Sequence, residues 1–138
     1  MPQNNLLLFV YGTLRRDCPT GAHRQYLQGA KWRWPAKIRG SLFLVDYYPG
    51  LALEEAIGGD DTSHWVKGEI YQLENTAQLE RLDDYEGCAS DSPRPHEYQR
   101  RLVEVLLPDE QVLTVWAYIY IGDLTRLPRI PSGDFLQA

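Results

Sequence analysis

The chain is poor in the residues that most often announce a site's chemistry. It has two cysteines, Cys18 and Cys88, and three histidines, His23, His64 and His96, in 138 residues. Neither cysteine belongs to a C-x-x-C pair, so free thiols in a reducing compartment are expected rather than a disulfide. The histidines are scattered at spacings unlike a metal-binding motif, and no metal site is expected. Positive charge is also scarce: the net charge of −5 argues against a broad nucleic-acid or anionic-membrane surface. No apolar run approaches the ~20 residues that span a bilayer. The opening "MPQNNLLLFVYG" has neither a basic segment nor a small-residue cleavage site, so it does not read as a signal peptide and a cytoplasmic location is expected. Repeats, low-complexity tracts and dividing linkers are missing too, which favours one domain over residues 1–138.

What is present is mostly strand. The hydrophobic fraction of 43% and charged fraction of 24% are ordinary for a globular chain. Leu6 to Val10, Lys37 to Asp46 and Trp65 to Leu73 read as strands, with Gly40 suggesting a bulge or a close backbone approach. "YYPGLAL" suggests a Pro-Gly turn into a short extended piece. "EEAIGGDDTSH", residues 54–64, reads as an exposed loop, and residues 22–28 as two turns of helix. Asn75 or Thr76 can cap a helix through "TAQLERLDDYEG", with Leu79 and Leu82 on one face and Gly87 as its stop. "EYQRRLVEVLL" and "QVLTVWAYIYI" form a hairpin across Pro108-Asp109-Glu110. The proline-rich tail "LPRIPSGDFLQA" suggests irregular chain packed over the surface. The expected class is α+β, a small mixed β-barrel with one or two short helices. Trp32 and Trp34 fit core, pocket rim or interface equally.

Two places carry potential chemistry. The first strand ends in Tyr11-Gly12-Thr13-Leu14, followed by Arg15 and Arg16. Successive backbone N–H groups in such a turn can hold an anion, although a tight turn with two surface arginines accounts for the same letters. The second place is "LDDYEG", where Asp83, Asp84 and Glu86 crowd the end of a helix whose dipole already disfavours negative charge. A solvated acidic loop is the plain reading. The sharper one buries Glu86 beside Tyr11 or Tyr85, raising its pKa toward neutrality for proton transfer.

In order, "FVYGTLRR", "YPG", "VKGEIYQL", "LDDYEG" and "YQRRLVEV" resemble the gamma-glutamylcyclotransferase-like family, in its small bacterial and gamma-glutamylamine-cyclotransferase-like branch. The resemblance spans roughly residues 6 to 121, and "SGDF" is similar to the family's closing segment. It implies a mixed β-barrel and cyclisation of a γ-glutamyl amide to 5-oxoproline with release of an amine, without a cofactor. Carried over, Tyr11, Gly12, Thr13 and Leu14 would form the substrate loop, Glu86 the catalytic carboxylate, and Tyr98 a pocket residue, with Arg100 in support. The implied partner is a small γ-glutamyl substrate, not nucleic acid or membrane, and the oligomeric state stays open. Segments 54–64 and 88–97 are longer than the family's pattern and read as rim loops that would bear on substrate identity. A non-catalytic binding module on the same fold is the alternative, and other amide-cleaving chemistry a third.

Overall fold

The computed structural model describes residues 6–16, 18, 21, 25–46, 48–53 and 65–137. Its strands are β1 (Leu7–Val10), β2 (Lys31–Leu44), β3 (Pro49–Leu53), β4 (Trp65–Gln72), β5 (Tyr98–Leu106), β6 (Val112–Tyr120) and β7 (Arg129–Ile130). One α-helix, α1 (Thr76–Glu86), and a 3₁₀ turn, Phe135–Gln137, complete the elements named among the described residues. Hydrogen-bonded neighbours run β2-β4-β1-β6-β5, and β5 returns to β2 at Leu106 and Lys37, so five strands close into a barrel. Closure leaves none of these strands a long unpaired edge. β3 and β7 pair with the far end of β2 and extend the wall.

The apolar run in β1 follows from this placement, because a strand buried on both faces needs no polar alternation. Phe9 points into the barrel with Ile38, Val66, Ile70 and Val115. Leu8 and Val10 face outward and are covered by Leu79 and Leu82 of α1. The helix begins where its cap chemistry requires. Asn75 accepts the Gln78 N–H at 2.9 Å, and the Gln78 side chain accepts the Glu74 N–H at 2.7 Å. It ends at Gly87, whose φ of 73° favours glycine, while the Cys88 N–H closes on the Asp83 carbonyl at 3.0 Å.

Several expectations need correction. β2 begins at Lys31, six residues before the predicted start at Lys37, and carries Pro35 inside it. Pro35 is exposed and lies beside the irregularity between Trp32 and Trp34, where a missing N–H is tolerated. That irregularity is a bulge, and of the two alternatives for Gly40 the close backbone approach holds, since a Cβ there would strike the Ala52 carbonyl. Pro49-Gly50 is not a turn but the start of β3. The tail is less irregular than its prolines suggest: Arg129–Ile130 pairs with β2, and the chain ends in a 3₁₀ turn. Of the predicted helix at 22–28, residues 25 and 26 are helical and 22–24 lie outside the described residues, as does the loop 54–64. Neither cysteine is in a disulfide; Cys18 is buried and Cys88 half-buried.

Candidate active site

β1 stops at Val10, and the Arg15 N–H donates to the Gly12 carbonyl at 3.0 Å, turning the chain over Thr13 and Leu14. The amides of Thr13 and Leu14 have no partner among the described residues. This turn forms one wall of a cavity of about 140 Å³. Pro49 of β3 and Tyr48 before it, Tyr98 at the start of β5, Tyr118 of β6 and the last turn of α1 supply the others. All six residues expected at the site, Tyr11, Gly12, Thr13, Leu14, Glu86 and Tyr98, line this cavity.

Their individual positions refine what each can do. The Tyr11 hydroxyl donates to the Tyr118 carbonyl at 2.6 Å and accepts the Leu51 N–H at 3.2 Å. Tyr98 donates to the Pro49 carbonyl at 2.6 Å. Both hydroxyls therefore serve as posts holding strands together, and the rings present their sides to the cavity. Burial first, and neighbouring charge including Glu86 second, holds both phenols above the usual tyrosine range, so they stay neutral. Leu14 is buried in the second core beneath α1.

Gly12 is required for a different reason from ligand approach. A Cβ on it would lie 2.6 Å from Pro49 Cγ and 2.8 Å from Cδ, so the missing side chain lets β3 close against the end of β1. Gly12→Val should push Pro49 outward, cost about 1–3 kcal/mol by overpacking, and widen the cavity. Urea unfolding checks the loss, and wild-type stability would show that the two walls do not depend on this contact.

The three acids at the end of α1 have three environments. Asp84 is exposed. Asp83 accepts a two-pronged contact from Arg100, at 2.8 and 3.1 Å, and the Tyr118 hydroxyl at 2.7 Å. Arg100 also lies over the Trp116 ring. Its charge is thus directed to Asp83, outside the cavity lining. Glu86 makes no side-chain hydrogen bond or ion pair with any described residue. Half-buried among tyrosines, with Asp83 three residues back, its carboxyl is pushed up from 4.5 to about 7, by burial first and the Asp83 charge second. An unpartnered, protonatable carboxyl facing a cavity can give and take a proton near neutrality.

Arg15 is not the surface residue expected. Its guanidinium is bonded to Glu69 at 3.2 Å and Asp134 at 2.6 Å, with all three side chains nearly buried. Glu69 also accepts the Arg16 N–H at 2.9 Å and the Trp32 indole N–H at 3.3 Å. The turn is therefore tied to the middle of β4 and to the closing "SGDF" segment. Arg16 is exposed, over the Trp32 ring. Neither Glu69 nor Asp134 was singled out from the sequence. Glu69 had a signal, a lone acid between Gly68 and Ile70 in an apolar strand, where an unpaired charge is costly. Tyr48, Glu97 and Tyr118 also line the cavity and carried no signal of their own.

The fold is a closed five-stranded β-barrel with a short helix, and its cavity is walled by the turn after β1 and the last turn of α1. Within that fold class, the family model for gamma-glutamyl cyclotransferase, AIG2-like proteins matches residues 8–137, and the chain belongs to this family. Among solved structures, an uncharacterized protein from Pyrococcus horikoshii is 27% identical over 96% of this chain and 91% of its own, with a TM-score of 0.64. An AIG2-like protein from Mus musculus is 25% identical, covering 94% of this chain and 88% of its own at a TM-score of 0.66. Protein ytfP from Escherichia coli is 27% identical, covering 94% and 96% at 0.63. No curated protein matches the chain.

Proposed function

We propose that the protein cyclises a γ-glutamyl amide to 5-oxoproline and releases the amine, with Glu86 as general acid and base. The observation that carries this is the position of the Glu86 carboxyl, which lines a tyrosine-walled cavity with no side-chain partner among the described residues, where burial pushes its pKa up to about 7. Family membership supplies the reaction class.

The chemistry asks little of the protein beyond geometry and one proton carrier. The nucleophile is the substrate's own α-amino group, so no serine, cysteine or metal ion is needed to attack. Holding the folded substrate with its amine against its γ-carbonyl replaces a bimolecular encounter by an intramolecular one, worth up to ~7–11 kcal/mol in well-oriented cases. The Glu86 carboxylate takes a proton from the α-ammonium, and the freed nitrogen bonds to the γ-carbon. The carbonyl electrons pass to oxygen, and the amides of Thr13 and Leu14 are the available donors for a carboxylate or this oxyanion. The proton held by Glu86 then passes to the amide nitrogen and the γ-carbon–nitrogen bond breaks; Glu86 takes the second proton from the cyclised nitrogen and hands it to the departing amine, which leaves as its ammonium. No water is consumed and Glu86 is returned ionised.

The test is direct: incubation with γ-glutamyl amines and dipeptides, assayed for 5-oxoproline. A protein that binds these compounds and releases none is the non-catalytic module instead. The reaction begins with ionised Glu86, so kcat/KM should rise with pH through about 7 rather than through the ordinary carboxylate range near 4.5. A profile flat between pH 5 and 8 would detach Glu86 from the rate.

A further inference from the structure

We infer that Glu97 selects the leaving group, and that the preferred substrates are γ-glutamyl amides whose amine portion carries a second, positive charge; this rests on the reaction proposed above. Among the described residues lining the cavity, the charged ones are Glu86 and Glu97, and no lysine or arginine is present. The nearby arginines are engaged elsewhere, Arg15 with Glu69 and Asp134 and Arg100 with Asp83. A leaving group with a carboxylate, such as a dipeptide, would meet no compensating cation among the described lining residues.

Glu97 is placed to meet the opposite charge. It is the last residue of the 88–97 segment, is exposed, and accepts the Tyr48 hydroxyl at 2.7 Å through one carboxylate oxygen. The other oxygen has no side-chain donor among the described residues. Tyr48 lies with its ring centroid 6.3 Å from that of Tyr98, so the same rim offers aromatic surface, which attracts cations as well as alkyl chains. Glu86 handles the scissile nitrogen inside the cavity, and whatever is attached to that nitrogen must leave past exposed groups. The other side-chain bond across the lining, Thr13 to Tyr85 at 3.2 Å, is exposed too but uncharged. Among the described rim residues, Glu97 is therefore the charged group placed to distinguish one end group from another.

Three γ-glutamyl amides test this: those of 1,4-diaminobutane, pentylamine and 5-aminopentanoate, which end the same methylene chain in an ammonium, a methyl and a carboxylate. Kd by calorimetry and 5-oxoproline release are measured separately for each. The ammonium amide should bind and react best and the carboxylate amide worst, about tenfold apart, as expected for one rim charge attracting one end group and repelling the other. High salt should compress that spread. Glu97→Gln should collapse the ratio and Glu97→Lys invert it. Equal values for all three amides, failure of the ammonium amide to bind, or an unchanged ratio in Glu97→Gln overturns the assignment. Binding in the expected order without 5-oxoproline would sink the proposed reaction and leave the charge selection standing, so the two failures are distinguishable.

Discussion

Replacing Glu86 by glutamine should lower 5-oxoproline release by a factor of about 10² to 10⁴, the usual contribution of a positioned acid–base group, while making the protein more stable above neutrality. Glutamine keeps the shape of the side chain but cannot carry the proton. The stability gain follows from linkage. In the folded chain Glu86 titrates at about 7, against 4.5 for the free group. Between those pH values the folded state holds a proton that the unfolded state releases, so this group's contribution to stability declines as pH rises through about 7. The uncharged variant escapes that decline. Its melting temperature should exceed the wild type's at pH 8, by a free energy of about 1–3 kcal/mol, and the gap should close toward pH 4. Full turnover in the variant removes Glu86 from the chemistry, whereas a lower melting temperature at pH 8 refutes a carboxyl disfavoured in its charged form by burial and Asp83.

Arg15→Met should be the most destabilising single change in the turn, by about 3–5 kcal/mol, because it strands Glu69 and Asp134 in a nearly buried site without their cation. Backbone and indole donors to Glu69 remain, from Arg16 and Trp32, and they do not neutralise it. Urea unfolding measures the loss. Adding Glu69→Gln should restore part of it, since replacing a buried pair is far cheaper than breaking it. The turn that presents the Thr13 and Leu14 amides is anchored by this group, so turnover should fall in Arg15→Met and recover partly in the double variant. A single variant as stable as wild type would show that the ion pair does not hold the turn.

The proposed chemistry and the stability of the turn thus draw on different acids in the same small region. Glu69 and Asp134 are ion-paired with Arg15, Asp83 is paired with Arg100 and Tyr118, and Glu86 has no side-chain partner among the described residues. Charged groups withdrawn from water are normally paired, so the half-buried carboxyl without a described partner is where the proposed chemistry is placed. Tyrosine hydroxyls follow the same logic. Those of Tyr11 and Tyr98 are bonded to backbone across long sequence separations, which stiffens the cavity walls instead of addressing a ligand.

Much was legible in the letters because it depends on near neighbours. Asn75, Gln78 and Gly87 set the limits of α1 through hydrogen bonds and a left-handed residue within a few positions. Alternation in β5 and β6 is a local periodicity, and the spacing of "YGTL", "LDDYEG" and "YQRR" carried the family. Where the reading slipped, a distant partner overrode a local preference: Pro35 sits in β2 because β4 supplies the pairing around it, and Arg129–Ile130 is strand because β2 is there to receive it. Which of three adjacent acids stays unpaired, where Arg15 spends its charge, and that Glu97 reaches the rim were decided only by the closed barrel. Burial and ion pairing depend on groups brought together from positions as far apart as Arg15 and Asp134, and no short stretch of chain contains that information.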